Sequence, residues 1–177
     1  MSITVACDGS ALVNPGHAGW AWYVDEGCWA AGGEQLATNN AMELTAVLRF
    51  LEAVADQPHT PTLIRCDSQY VINGLTMWWK GWVRKGWKNA AGKPVANPEL
   101  FQTNLALLAE RTATRFEWVK GHAGDALNTA ADLRANGAAT AIKHDTPVDT
   151  GPGWTEGSIM AGITADGLHI GPEFEDF

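Results

Sequence analysis

The sequence predicts an α/β protein with a five-stranded mixed sheet flanked by helices. Three strand-like segments follow one another at hairpin-like distances, and helix-like and strand-like segments alternate after them. Consecutive strands favour antiparallel pairing, whereas strands separated by helices favour parallel pairing. A length of 177 residues suits one domain with a short extension.

The first three strands are predicted from alternating apolar residues and turn signals. Residues 3–8 alternate as a strand that ends before the turn residues Gly9 and Ser10. The second and third strands are expected over residues 20–24 and 28–33.

The next part of the chain alternates helices and strands. Apolar residues recur at helical spacing after Asn40, which is expected to cap this helix, and Pro58 ends it. Asn97, followed by proline, is expected to cap a later helix. The remaining elements are a strand over 61–67, a helix over 68–75, a helix over 97–111, a strand over 115–120 and an alanine-rich helix over 126–143.

Composition divides the chain near residue 143. Residues 145–177 hold seven acids and no Lys or Arg, so the net charge of −8 lies mostly in this extension. The preceding residues hold 13 acids against 12 bases and are nearly neutral. The predicted organisation is a domain over 1–143 and an acidic, Gly- and Pro-rich extension over 144–177. The extension could form a small hairpin around 165–167 or a solvated tail.

A basic, tryptophan-rich segment lies inside the nearly neutral domain. Residues 78–93 carry five cations and no acid, and four of the nine tryptophans lie within 78–88. Cations interleaved with aromatic side chains are typical of surfaces that follow a phosphate backbone. Some of these tryptophans are also expected to fill a core.

Cysteine usage and hydropathy favour a cytoplasmic protein. Cys7, Cys28 and Cys66 are an odd number at wide spacings, which indicates reduced core thiols instead of a disulfide framework or a metal site. No apolar run approaches the ~20 residues of a membrane span, and the first residues lack the pattern of a signal peptide.

Four acids lie where ordinary acids are not expected. Asp8 and Asp67 follow apolar strands, Glu43 borders the apolar face of a helix, and Asp132 lies on the last helix. Each alone has a structural explanation, as a turn residue, a helix-capping residue or an exposed helix residue. Together they favour a site, because the carboxyl ends of neighbouring parallel strands meet at one edge of a sheet. Converging carboxylates repel unless they hold a divalent cation, and oxygen ligands suit Mg²⁺ or Mn²⁺.

Four ordered motifs resemble those of the type 1 ribonuclease H family. They are Cys-Asp8-Gly-Ser, Thr38-Asn-Asn-Ala-Met-Glu43-Leu, Cys-Asp67-Ser-Gln-Tyr, and Val-Lys-Gly-His122-Ala-Gly with Asp132 ten residues after the histidine. The resemblance covers about residues 1–143. It implies a ribonuclease H-like fold and hydrolysis of the RNA strand of an RNA–DNA hybrid.

The resemblance implies specific roles for these residues. Asp8, Glu43, Asp67 and Asp132 would be the ligands of two Mg²⁺ ions, with Mn²⁺ as a substitute. Products would carry a 5′ phosphate and a 3′ hydroxyl. His122 would be a proton shuttle or an aid to product and metal release.

The resemblance also implies contacts with nucleic acid. Asn14, Asn39, Asn40 and Gln69 match minor-groove contacts, and Thr38 with Asn14 matches a pocket for a DNA-strand phosphate. Segment 76–96 matches a basic protrusion that holds the DNA strand. Its candidate contact residues are Trp78, Trp82, Arg84, Lys85, Trp87 and Lys88.

One motif departs from the family pattern, and other functions share the fold. The stretch Asp125-Ala-Leu-Asn128 lacks the acidic and basic residues common in relatives, which puts the rigidity of the local loop in doubt. A non-catalytic hybrid-binding module, or a junction resolvase or transposase core, has the same architecture. The complete set of acids favours an enzyme, and the basic segment with the Gly-His-Ala-Gly motif favours hybrid specificity. A monomer is expected.

Overall fold

The computed structural model describes residues 1–121 and 124–155 and contains the expected five-stranded mixed sheet. The strand order is β3-β2-β1-β4-β5. β1 pairs antiparallel with β2 and parallel with β4, β2 pairs antiparallel with β3, and β4 pairs parallel with β5. The strands are β1 (Ile3–Ala11), β2 (Gly16–Asp25), β3 (Cys28–Ala37), β4 (Thr62–Cys66) and β5 (Thr114–Trp118).

Helices cover both faces of this sheet. The helices are α1 (Asn39–Ala53), α2 (Gln69–Asn73), α3 (Trp79–Arg84), α4 (Pro98–Ala109) and α5 (Ala126–Lys143). On one face, α1 buries Leu44, Val47 and Leu51 in a core with Trp22 of β2 and Phe101 of α4. On the other face, small side chains let α5 lie close to the strands, with buried alanines at 6, 21, 131, 135 and 138.

The hairpin formed by β2 and β3 is longer than the sequence predicts. β2 and β3 pair from Asp25↔Cys28 to Gly16↔Ala37, well beyond the predicted residues 20–24 and 28–33. A β-bulge between Gly16 and Ala18 accommodates the irregular end of this pairing. Antiparallel pairing with a neighbour therefore continues through glycine-rich sequence that carries a weak strand signal.

The predicted cap of α1 is wrong, whereas α4 begins directly after Asn97, as predicted, but without a side-chain capping bond. α1 begins two residues earlier than expected, and its cap is Thr38, whose hydroxyl accepts a hydrogen bond from Ala41 N–H at 3.1 Å. Asn97 precedes α4 in a left-handed conformation and makes no side-chain capping bond. Threonine and asparagine both cap helices, so the sequence alone does not separate neighbouring candidates.

The predicted helix over 68–75 continues as a longer irregular helix. α2 is capped by Ser68, passes into a π-helical segment over Gly74–Trp78, and continues as α3. The wider turn of a π-helix changes the direction in which side chains point and often occurs at functional sites. The basic, tryptophan-rich segment therefore begins on a helix that starts just after Asp67.

The described start of the extension packs on the domain. Gly153 N–H donates to the Trp29 carbonyl at 2.9 Å, and Ala31 N–H donates to the Thr150 carbonyl at 3.2 Å. Trp154 packs against Trp22, with ring centroids 6.4 Å apart. This segment, residues 150–155, covers the outer edge of β3. The hairpin considered around residues 165–167 lies outside the described residues.

The three cysteines are free and buried, as predicted. Across residues 1–121 and 124–155, no helix combines the length and apolar character needed to span a membrane.

Candidate active site

Three of the four predicted acids converge where β1 and β4 lie side by side. Asp8 on β1 and Glu43 on α1 are 2% and 4% exposed, and Asp67 directly follows β4. Each offers a carboxylate oxygen, and these oxygens lie within 4.8 Å of one another. The parallel register of β1 with β4, in which Ala6 lies opposite Arg65, carries Asp8 alongside Asp67 and so produces this convergence. Asp8 lies inside β1, because the strand continues to Ala11 through the turn predicted at Gly9 and Ser10.

Gly9 lets α1 approach β1 closely enough to place Glu43. A Cβ atom at Gly9 would lie 2.4 Å from the backbone nitrogen of Glu43, so a larger residue would force the helix away. The N–H of Gly9 donates to Glu43 Oε1 at 3.0 Å. The glycine thus fixes one oxygen of Glu43 and leaves the other directed to the acidic cluster.

Asp132 lies beside this cluster on α5. It is half-buried, and its carboxyl group interacts with that of Asp8. It is not part of the group of three whose oxygens lie within 4.8 Å of one another. The structure therefore brings all four predicted acids to one region, three of them in immediate proximity and Asp132 on the side of Asp8.

The environment of the buried acids disfavours their charged forms. Burial, together with the charges of Asp67 and Asp132, raises the pKa of Asp8 to about 8. Burial and the charge of Asp8 raise the pKa of Glu43 well above its usual value. Asp8 Oδ2 and Glu43 Oε2 are buried and accept no hydrogen bond from any described residue.

The donor set fits a divalent cation with hard oxygen ligands. Buried polar atoms are normally paired, so two buried carboxylate oxygens without donors suit a positively charged ligand. A cation within reach of the three acids would supply that partner and would favour their ionised forms. Carboxylates without histidine or cysteine among the described ligands suit Mg²⁺ or Mn²⁺ better than zinc.

Residues of β5 and of the loop that follows β5 contact Asp67 and hold it in place. Trp118 Nε1–H donates to the Asp67 carbonyl oxygen at 3.1 Å. A Cβ atom at Gly121 would lie 3.2 Å from Asp67 Oδ2, so the loop passes directly beside the carboxylate. His122, the next residue in the chain, lies outside the described residues. Trp118 has no functional signal in the sequence, because nothing local shows that its indole reaches the end of the neighbouring strand β4.

Two of the four predicted minor-groove residues, Asn14 and Asn39, meet beside the turn between β1 and β2. Asn14 Oδ1 accepts from Asn39 N–H at 3.2 Å, and Asn39 Oδ1 accepts from Ala11 N–H at 2.7 Å. These bonds use the amide oxygens, which leaves the amide nitrogens as donors for a ligand. Asn40 is exposed at the start of α1, where Thr38 caps the helix, and Gln69 is exposed at the start of α2.

The basic, tryptophan-rich segment has a buried floor and a charged surface. Trp82 is 7% exposed and packs on Phe101 at a centroid distance of 5.0 Å, so it is mainly a core residue. Trp78 is 42% exposed and Trp87 is half-buried. Arg84, Lys85 and Lys88 are exposed. A cavity of about 620 Å³ lies here, lined among others by Trp78, Trp82, Lys85 and Lys88.

The fold and the site together define an α/β protein with a mixed five-stranded sheet and a carboxylate cluster suited to divalent cations. The chain belongs to the RNase H family, whose model, described as RNase H, matches residues 1–140. The chain is similar to a ribonuclease H of Tropheryma whipplei, at 49% identity over 158 residues, covering 88% of this chain and 96% of that protein.

More distant relatives show the same relationship. A ribonuclease HI of Streptomyces coelicolor is 45% identical over 141 residues, which cover 76% of this chain and 60% of that protein. A solved structure of LC9-RNase H1, described as a type 1 RNase H with the type 2 active-site motif, is similar with a TM-score of 0.64. The two chains are 26% identical, and the similarity covers 94% of this chain and 83% of that one.

Proposed function

We propose that the protein hydrolyses the RNA strand of RNA–DNA hybrids, using two Mg²⁺ ions held by Asp8, Glu43, Asp67 and Asp132. The observation that carries this proposal is the convergence of three carboxylate oxygens within 4.8 Å, two of these acids being buried. Membership of the RNase H family supports the reaction and its substrate.

When bound, two ions held by these acids would supply an activated water and charge stabilisation for the departing 3′ oxygen of an in-line displacement at phosphorus. The residues of the chain hold and orient this site. Asp8 contributes from the rigid centre of the sheet, and Gly9 N–H fixes the orientation of Glu43. Asp67, anchored through its carbonyl by Trp118, lies at the more open side of the cluster. Hydrolysis in this sense leaves a 5′ phosphate and a 3′ hydroxyl.

His122 is proposed as a proton shuttle or an aid to product and metal release. The matching Gly-His122-Ala-Gly motif supports this role, and Gly121, which precedes the histidine in the chain, lies against the Asp67 carboxylate. An imidazole with an unperturbed pKa near ~6.5 exchanges protons readily at neutral pH.

The hybrid is proposed to lie between the exposed amide side chains at the starts of α1 and α2 and the basic, tryptophan-rich segment. The amide nitrogens of Asn14, Asn39 and Asn40, with Gln69, offer donors to minor-groove atoms, including the 2′-hydroxyl that distinguishes RNA from DNA. Thr38 and Asn14 are proposed to bind a phosphate of the DNA strand. The protrusion contributes phosphate contacts through Arg84, Lys85 and Lys88, and aromatic contacts through Trp78 and Trp87, with Trp82 as their buried support.

We further propose that the protein acts as a cytoplasmic monomer. Three buried free thiols fit a reducing compartment.

A cleavage assay on three matched duplexes tests the proposed function. RNA–DNA, RNA–RNA and DNA–DNA duplexes of the same sequence are incubated with the protein and Mg²⁺, with EDTA as the control. We expect cleavage of the RNA strand of the hybrid alone, abolished by EDTA, with 5′-phosphorylated products. Equal cleavage of DNA–DNA, or hybrid cleavage that persists in EDTA, would refute the proposal.

A further inference from the structure

Arg65 forms an ionic link between the sheet and the start of α5. It lies on β4, two residues before Asp67, and its Nε donates to Glu117 Oε1 on β5 at 2.9 Å. Its Nη1 donates to Asp125 Oδ2 at 3.4 Å. The side chains of Arg65 and Asp125 are 20% and 22% exposed, so this ion pair is partly shielded from water.

Asp125 uses its two carboxylate oxygens for different purposes. Oδ1 accepts from Asn128 N–H at 2.8 Å and caps α5, while Oδ2 faces Arg65. A capping residue determines where a helix begins and how its first turn is oriented. Through Asp125, the guanidinium of Arg65 therefore contacts the first turn of the helix that carries Asp132.

This link joins the elements that carry two of the four acids. Asp67 follows β4 two residues after Arg65, and Asp132 lies on α5 seven residues after Asp125. α5 packs on β1, β2 and β3, and small side chains make this contact. The ion pair to Asp125 thus ties the start of α5 to β4, the strand next to β1.

We propose that Arg65 is a positioning residue that, through Asp125, holds α5 where Asp132 completes the divalent-cation site. This inference rests on the proposed function and deepens it, because it concerns how the fourth acid is held. Arg65 would act through Asp125 and is not one of the acids proposed to hold the cation. Without its link, the first turn of α5 loses its fixed distance from β4, and Asp132 contributes less to cation binding.

The test is calorimetric titration of the metal-free protein with Mn²⁺, which measures cation affinity without any substrate. We expect Arg65→Gln to weaken Mn²⁺ binding by about tenfold, the lower end of the roughly 10–100-fold range for residues that orient metal ligands. Asp125→Asn keeps a capping oxygen but removes the charge, and it should weaken binding by a similar factor. The double variant should be no weaker than either single variant, since both remove one link.

Three further variants separate positioning from a general loss of structure. Glu117→Gln removes the other partner of Arg65 but leaves the link to α5, and Arg49→Gln removes an exposed ion pair on α1. Both variants should bind Mn²⁺ within about twofold of the unchanged protein. Loss of a residue that orients a metal ligand lowers metal affinity by roughly 10–100-fold, so the two cases are distinguishable. Arg65→Lys keeps the charge and should recover part of the affinity. Melting temperatures without metal show whether each variant is folded.

Two results would overturn the inference. One is an Arg65→Gln variant that is folded and binds Mn²⁺ as tightly as the unchanged protein. The other is Glu117→Gln losing as much affinity as Arg65→Gln, which would assign the effect to the sheet instead of α5. Failure of the proposed function is separate, because it would appear as no hybrid cleavage by a protein that still binds Mn²⁺.

Discussion

Asp8 and Glu43 are buried acids whose surroundings favour the protonated form, and this has a consequence for stability. The folded protein retains the proton of Asp8 up to about pH 8, whereas the ordinary pKa of this side chain is 3.8. Between these values the folded state binds more protons than the unfolded state, so rising pH favours unfolding.

A pH series on the metal-free protein measures this effect. We expect Asp8→Asn to become progressively more stable relative to the unchanged protein as pH rises from about 4 to about 8. The measurement is urea unfolding of both proteins at each pH in the presence of EDTA. A stability difference that does not change with pH would show that the Asp8 carboxyl group ionises normally.

A substitution at Glu43 separates the effect on hybrid cleavage from the effect on hybrid binding. Glu43→Gln keeps the shape of the side chain and an acceptor for Gly9 N–H but removes the charge that a cation needs. We expect hybrid cleavage to fall at least about a thousandfold, as for loss of a key electrostatic group, while hybrid affinity stays within a few-fold. Glu52→Gln, on the exposed side of the same helix, should cleave normally. Near-normal turnover of Glu43→Gln would exclude it as a ligand.

At the scale of elements, the basic protrusion over residues 76–96 has a packed inner side and a cationic outer surface. Trp82 holds the segment on Phe101, so Lys85 and Lys88 are presented from a fixed base beside the cavity. Cations that contact phosphates displace condensed counterions, which makes binding depend on salt.

Neutralising this surface tests its role. Lys85→Ala with Lys88→Ala should raise the KM for the hybrid more than it lowers kcat, and should reduce the salt slope of binding by about 1–2. The matched control is Arg49→Ala with Lys143→Ala, which removes two exposed charges elsewhere. Hybrid affinity measured over a series of KCl concentrations gives the slope, and an unchanged slope in the protrusion variant would contradict the role.

The segment over residues 150–155 is a second element whose role is structural. Gly151 adopts φ +75°, and a Cβ there would lie 2.5 Å from the Trp29 carbonyl oxygen, so a glycine is needed for the chain to turn onto β3. The turn delivers Trp154 to the rings of Trp22 and Phe50.

Removing this aromatic contact should destabilise the whole domain. We expect Trp154→Ala to lower the free energy of unfolding by roughly 2–4 kcal/mol, less than for a fully buried tryptophan because Trp154 is half-buried. Pro152→Ala, at an exposed position of the same segment, serves as the control. Equal unfolding curves for the two variants would show that the segment merely rests on the domain.

For the molecule as a whole, the parts predictable from sequence depend on local patterns and on strand adjacency. Apolar runs followed by Asp8 and Asp67 predict a site once β1 and β4 are taken as parallel neighbours, and the structure has this pairing, although β1 continues beyond Asp8 to Ala11. Glu43 is predictable because it borders the apolar face of α1.

Other features depend on contacts between residues far apart in sequence. The link from Arg65 to Asp125 spans 60 positions and has no local signal. The packing of Trp154 on the domain could not be predicted, because the glycines and prolines around it are typical of a solvated tail. A single tryptophan is nevertheless enough to anchor such a segment. Which acids lie nearest one another also depends on how α5 crosses the sheet.

The central claim is that the clustered acids form a divalent-cation site. The most direct measurement is the melting temperature of the protein at pH 8 with and without saturating Mg²⁺, compared with a variant carrying both Asp8→Asn and Glu43→Gln. A cation that binds the folded state alone raises its stability, so we expect Mg²⁺ to raise the melting temperature of the unchanged protein and to leave the variant unaffected. No rise in the unchanged protein, or an equal rise in both, would contradict the account.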